Sequence, residues 1–126
     1  GATVIGARQP LIAFNVYLNT SSVEIARAVA RAIRYSSGGL RYCKALGLLV
    51  EGRAQISMNL TNFQKTPMLR VLDLIRAEAA KWGCTVVESE VIGLIPQEAL
   101  LAAATAALQL HDFKAGQVLE NRIAGL

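Results

Sequence analysis

The sequence has few of the residues that most often carry metal or thiol chemistry. It contains one histidine, His111, and two cysteines, Cys43 and Cys84, without the short spacing of a zinc or redox motif. We therefore predict no metal site, and nothing in the sequence places His111 beside either thiol. The sequence leaves a disulfide open, but we favour buried free thiols, as is usual in cytosolic proteins.

The sequence also lacks long hydrophobic runs. No apolar stretch reaches the roughly 18–20 residues that cross a bilayer, and no signal-peptide pattern opens the chain. We therefore expect a cytoplasmic protein without membrane contact. There is no initiator methionine, so we also expect a processed product, a trimmed chain or a piece of something larger. With 126 residues, 53% of them hydrophobic, one domain over residues 1–126 is predicted.

Charge is unevenly distributed along the chain. Residues 1–65 carry eight basic and two acidic groups, a balance of +6, whereas residues 66–126 carry five basic and seven acidic groups, a balance of −2. A basic half can attract an anionic ligand. Arg27, Arg31 and Arg34 nevertheless recur at helical spacing, and we favour a solvated helix face for these three.

Apolar periodicity and turn signals predict the order β-α-β-β-α-β followed by further helices. Strands are predicted at 11–18, 40–50, 53–60 and 85–95. Thr20-Ser21-Ser22 offers an N-cap for the first helix, with Glu24 at capping-box spacing from Ser21, and Thr66 before Pro67 predicts a capped second helix. Later helices are predicted from Pro96 to about Leu110 and at 117–123. This order indicates a ferredoxin-like α+β fold, with helices on one face of an antiparallel or mixed sheet.

The stretch RAQISMNLTN at 53–62 alternates apolar and polar residues as a half-buried strand does. Its polar members Gln55, Ser57 and Asn59 should lie on the face without helices, beside Asn15 and Tyr17 of the first strand. Such amides and hydroxyls suit a partly desolvated surface that gives directional hydrogen bonds, although a solvated face is equally open. RNA binding is not expected, because the third strand offers no aromatic stacking platform.

Three segments carry a resemblance to a known family: GATVIGARQPLIAFNVYLNT at 1–20, GRAQISMNLTNFQKTPMLRVLDLIRAEA at 52–79 and VVESEVIGLIPQEALLAAA at 86–104. They resemble the formiminotransferase family, and within it the C-terminal subdomain. This family comprises glutamate formimidoyltransferase and the front half of formimidoyltransferase-cyclodeaminase. LENRI at 119–123 is similar to the end of the bacterial single-function members. The resemblance extends over essentially the whole chain.

The resemblance implies transfer of the formimino group from N-formimidoyl-L-glutamate to tetrahydrofolate, a step of histidine degradation. It implies a homodimer in which two subdomain sheets face each other around a folate tunnel, so Asn15, Tyr17, Gln55, Ser57 and Asn59 would orient ligand groups. It also implies that a folate-contacting segment runs through Gly1, Ala2, Thr3, Val4, Gly6 and Arg8. Arg8 could pair with a ligand carboxylate or be an exposed charge.

The resemblance further implies that the catalytic acid/base is a histidine of the N-terminal subdomain, which this sequence does not contain. We therefore predict no catalytic residue here, and His111 is interpreted as a cap or surface residue. The chain is expected to be inactive alone and to need the N-terminal subdomain, from the same or a separate chain. The alternative is a free-standing ferredoxin-like binding or assembly module without catalytic activity.

Overall fold

A computed structural model of the chain describes residues 10–123. The strands are β1 (Ile12–Leu18), β2 (Cys43–Val50), β3 (Arg53–Leu60) and β4 (Val86–Ile92). The helices are α1 (Val23–Ile33), α2 (Met68–Ala80), α3 (Gln97–Ala107) and α4 (Leu119–Ile123). The predicted residues that lie outside the described part of the chain are Gly1, Ala2, Thr3, Val4, Gly6 and Arg8.

The four strands form one sheet in the order β2-β3-β1-β4, and all neighbouring strands are antiparallel. Helices α1 and α2 connect strands and pack against each other beside the sheet. With α3 and α4 after the last strand, the structure confirms the predicted ferredoxin-like α+β fold and its extra C-terminal helices. The sheet is antiparallel throughout, so the mixed alternative is wrong.

The core lies between the sheet and α1 and α2. In β3 the alternate residues Ala54, Ile56, Met58 and Leu60 are all buried, as the period-two pattern predicts. Alternate residues of β1 and one stripe of each helix complete the core, among them Phe14, Val16, Val29, Ile33, Val71 and Ile75. The polar residues between them therefore project from the opposite side of the sheet.

The structure selects one of the three candidate caps of α1 and differs from the predicted cap of α2. Ser22 caps α1, because its extended backbone lets Oγ accept from the Ile25 amide at 3.3 Å, so the capping-box spacing of Ser21 is not used. Pro67 takes the cap position of α2 without a side-chain hydrogen bond. The Thr66 hydroxyl instead donates to the Arg41 carbonyl, which ties the two loops before α2 and β2 together.

At three element ends a positive φ turns the backbone and makes the element shorter than predicted. Tyr42 precedes β2 at φ 65°, Gly93 follows β4 at φ 78°, and Gln109 follows α3 at φ 55°. These left-handed conformations cannot continue a strand or a right-handed helix. Consequently β2 starts at Cys43, β4 stops at Ile92 and α3 stops at Ala107.

Both cysteines are buried free thiols, as predicted. Burial raises the pKa of Cys43 to about 11 by removing the thiolate from water. Arg27 and Arg31 are exposed on α1, which confirms the solvated face for two of the three arginines. Arg34 is half-buried and donates to Ser37 Oγ at 2.6 Å.

Candidate binding face of the sheet

The sheet face opposite the helices, here called the bare face, carries side chains in rows across the four strands. The strand register sets these rows because residues directly opposite each other in neighbouring strands point to the same side. Listed from β2 to β4, three rows are Lys44-Asn59-Ala13-Ile92, Leu46-Ser57-Asn15-Glu90 and Leu48-Gln55-Tyr17-Glu88. All five sheet residues predicted from the sequence therefore lie on this face.

Three of these predicted residues form a connected network with Glu90. Gln55 Nε2 donates to the Tyr17 hydroxyl at 2.9 Å, and that hydroxyl donates to Glu90 Oε1 at 2.9 Å. Asn15 Nδ2 donates to the same carboxylate oxygen at 3.2 Å. We call these four residues the Glu90 network. Its contacts join β3, β1 and β4, so the antiparallel topology creates it.

Arg53 covers the edge of this network. Its guanidinium lies 4.0 Å from the centroid of the Tyr17 ring, and Nη1 pairs with Glu88 Oε1 at 2.6 Å. Stacking on an aromatic face suits the planar guanidinium. This cover explains why Tyr17 is only 6% exposed although it lies on the face without helices. The hydrogen bond that Arg53 donates to Glu88 raises the pKa of Arg53, so this charge is permanent.

Glu90 controls the acidity of the tyrosine. The hydrogen bond to the Glu90 carboxylate raises the pKa of Tyr17 above its ordinary value of 10.0, and burial acts in the same direction. The hydrogen bond from Gln55 acts in the opposite direction, since it stabilises a phenolate. Tyr17 is therefore a neutral donor at physiological pH, oriented by groups on both sides.

Ser57 and Asn59 lie on the same face but outside the network. They line a pocket of about 210 Å³ together with Lys44, Ala45 and Leu46. Ser57 is half-buried and Asn59 is exposed, so their polar groups are accessible from this pocket. The bare face thus combines a preorganised polar network towards β4 with a shallow polar pocket towards β2.

A larger cavity of about 310 Å³ lies on the helix side. It is lined mainly by apolar side chains of β1, α2 and α3, including Phe14, Met68 and Leu72, with Ser89 as the polar residue. A pocket with one hydroxyl offers little to orient a polar ligand. The bare face is therefore the better candidate site.

Sequence reasoning missed the charged members of the bare face. Lys44, Arg53, Glu88 and Glu90 belong to it, so the face is not built from uncharged groups alone. The run VVESEVI of β4 did contain a signal, because two glutamates at alternate positions must share one face. Which face they share depends on pairing with β1, and a local pattern does not contain that information.

Within residues 10–123, no three His, Cys, Asp or Glu side chains are grouped so that they could hold a metal ion. His111 is exposed in the bend after α3, outside the sheet. Over the same range, every helix is too short or too polar to span a bilayer.

Known proteins are similar to this sequence over most of its length. The profile of the family described as the formiminotransferase domain matches residues 13–121. Glutamate formimidoyltransferase of Thermoplasma acidophilum is 49% identical over 125 residues, which cover 98% of this chain and 41% of that protein. The Streptococcus pyogenes serotype M1 protein of the same name is 48% identical over 128 residues, covering 99% of this chain and 43% of its own length.

A third relative has a name that combines two activities. Formimidoyltransferase-cyclodeaminase of Mus musculus is 39% identical over 112 residues, which cover 82% of this chain and 20% of that protein. The chain thus spans less than half the length of the curated relatives it matches. The match over residues 13–121 and the identities of 39–49% lead to one conclusion: the chain belongs to the formiminotransferase domain family.

Proposed function

We propose that this chain is the folate- and substrate-binding C-terminal half of a glutamate formimidoyltransferase. In the proposed reaction, a tetrahydrofolate nitrogen attacks the formimino carbon of N-formimidoyl-L-glutamate. The bond to the glutamate nitrogen then breaks, and that nitrogen leaves with a proton. The reaction is a step of histidine degradation in the cytoplasm, and we propose that the working protein is a homodimer.

The Glu90 network on the bare face is the observation that carries this proposal. On a sheet face that is only exposed to water, polar side chains are usually solvated. Gln55, however, is only 5% exposed, and it donates to the hydroxyl of Tyr17, which in turn donates to the Glu90 carboxylate. Preorganised polar groups on an uncovered surface are typical of a binding site. In our proposal, the bare face is one wall of the folate tunnel.

The share of this chain in the reaction would be positioning. Holding two reactants in a productive geometry removes several kcal/mol from a barrier, on the order of 7–11 at best. Proton transfer to the leaving nitrogen needs a separate acid, and His111 lies outside the sheet. We therefore propose that the N-terminal subdomain, in the same or a separate chain, supplies the acid and the second wall.

A calorimetric titration tests the proposal directly. The chain is titrated with tetrahydrofolate alone and together with a matching N-terminal subdomain, and formimino transfer is assayed in both samples. We expect transfer only when both halves are present, with tighter folate binding than by either half alone. Absence of binding and transfer with both halves present would contradict the proposal.

The proposed site extends by resemblance to a segment before β1. Its residues are Gly1, Ala2, Thr3, Val4, Gly6 and Arg8. A forked guanidinium at Arg8 could pair with a ligand carboxylate. In the two-subdomain sample, we expect Arg8→Gln to weaken tetrahydrofolate binding, whereas an exposed charge would leave the affinity unchanged.

The second candidate function is a free-standing assembly module, and one observation favours it. Leu46 and Ile92 lie on the bare face and are each 55% exposed. Two such faces could pair between copies. Sedimentation of the chain alone distinguishes the two functions: a tight dimer that Leu46→Glu dissociates, with no folate binding by either form, would support the module.

A further inference from the structure

We infer that the bare face binds its ligand in one direction, with a ring rich in N–H donors at Glu90 and an anionic end at Lys44. This inference rests on the proposed function and deepens it. It follows from what each edge of the sheet offers, from the distance between the two edges and from the shapes of the two substrates.

Glu90 offers one oriented acceptor. Tyr17 and Asn15 both donate to Oε1, and none of the hydrogen bonds among residues 10–123 reaches Oε2. The side chain is half-buried, and a carboxylate in such a place gains from a further donor. The neighbouring Glu88 differs, since its carboxylate already pairs with Arg53 at 2.6 Å. The β4 side of the face therefore suits an amino group or ring N–H of a ligand.

Lys44 offers the opposite charge on the far side of the sheet. It is exposed on β2 and forms no ion pair with any residue in the range 10–123. The pocket that it lines also contains the Ser57 hydroxyl and the Asn59 amide, which can both donate to a carboxylate. This side of the face therefore suits an anion.

The distance between Lys44 and Glu90 distinguishes between the two substrates as ligands of this face. Lys44 and Glu90 lie on the two outer strands, so three strand spacings, about 14 Å, separate them across the sheet. Tetrahydrofolate carries its aminopteridine ring and its glutamate at opposite ends of an extended molecule. N-formimidoyl-L-glutamate has its amidine only a few bonds from a carboxylate, so it cannot reach both positions at once. The span fits the folate.

The experiment compares the whole folate with ligands that carry only one of its two ends. Binding of tetrahydrofolate, of a methyl-tetrahydropterin without the tail, and of p-aminobenzoyl-glutamate is measured by calorimetry with the two-subdomain sample. We expect Glu90→Gln to weaken the pterin and tetrahydrofolate about tenfold, the effect of one charge-assisted hydrogen bond. We expect Lys44→Gln to weaken p-aminobenzoyl-glutamate and tetrahydrofolate about threefold, the effect of an exposed ion pair.

Glu98→Gln and Lys81→Gln are matched controls, since they make the same charge changes at exposed positions away from the bare face, in the first turn of α3 and just after α2. Equal melting temperatures of all variants would exclude misfolding. The reverse pattern, or folate binding that neither bare-face change affects, would overturn the orientation and leave the proposed function standing. If the unmodified two-subdomain sample does not bind tetrahydrofolate, the proposed function fails and the orientation fails with it.

Discussion

Tyr17 is the residue of the bare face that contacts most of the Glu90 network and its cover. Its hydroxyl links Gln55 to Glu90, and its ring carries the Arg53 guanidinium. The buried phenol therefore reports on the whole network. A change in any neighbour should appear in its titration.

We predict that Glu90→Gln lowers the pKa of Tyr17. The hydrogen bond to the Glu90 carboxylate is the largest cause that raises this pKa, and a neutral amide does not repel a phenolate. Ultraviolet difference absorbance against pH measures the effect, and Tyr17→Phe identifies which part of the titration belongs to Tyr17. An unchanged curve in Glu90→Gln would show that the two side chains do not interact in solution.

We also predict a loss of stability at alkaline pH that depends on Cys43. Its pKa rises from 9.0 in the unfolded chain to about 11 in the fold, so the unfolded state releases its proton first. This contribution to stability is complete below about pH 9 and is lost as the pH rises towards 11. Urea unfolding at several pH values should show a steeper alkaline decline for the unmodified chain than for Cys43→Ala. Parallel curves would contradict the prediction.

At the scale of elements, the two faces of β3 should respond differently to mutation. Met58 is 2% exposed, so Met58→Ala should lower the free energy of unfolding by roughly 2–5 kcal/mol. Asn59 is exposed in the pocket, so Asn59→Ala should weaken folate binding in the two-subdomain sample and barely change the melting temperature. Denaturant unfolding and calorimetry separate the two effects. A large stability loss with unchanged binding would make Asn59 a structural residue.

Close packing between β2 and α1 gives a second prediction for elements. A Cβ atom at Gly47 would overlap the backbone of Ala26 and Arg27, and a helix backbone cannot yield as a flexible side chain can. We expect Gly47→Ala to lower the free energy of unfolding by about 1–3 kcal/mol. Gly116→Ala is the control, since nothing lies within 4 Å of its Cβ position. Equal melting temperatures of the two variants would mean that α1 can move away from β2.

For the whole molecule, the basic excess of residues 1–65 does not become a basic bare face. Arg27 and Arg31 are exposed on α1, while Lys44 and Arg53 share the bare face with Glu88 and Glu90. Two positive and two negative charges cancel at long range. The binding of an anionic folate should therefore depend on local contacts more than on the net charge of +4.

This cancellation predicts a weak salt dependence. Between about 0.05 and 0.5 M salt, tetrahydrofolate affinity in the two-subdomain sample should fall by less than about tenfold, because one exposed ion pair is the main screened contact. Calorimetry at several salt concentrations measures the slope. A steep decline of the affinity would contradict the prediction and indicate that many basic groups, such as the exposed arginines, attract the folate.

How much could be predicted from the sequence depends on the range of each interaction. The alternation in β3 placed Gln55, Ser57 and Asn59 on the face without helices, because successive side chains of a strand must alternate. The cap of α1 was predicted only as one of Thr20-Ser21-Ser22, since all three carry competent hydroxyls and the backbone geometry selects Ser22. Glu90 was missed because its partner Asn15 is 75 residues away.

The sequence by itself determined the order of elements, the core side of each inner strand and the family resemblance, since these depend on local periodicity and residue identity. Only the tertiary structure decided which polar residues meet. Pairing of β4 with β1 brings Glu90 to Asn15 and Tyr17, and pairing of β2 with β3 brings Lys44 beside Asn59. The physical reason is that strand pairing joins distant segments in one register, and no local pattern specifies the partner.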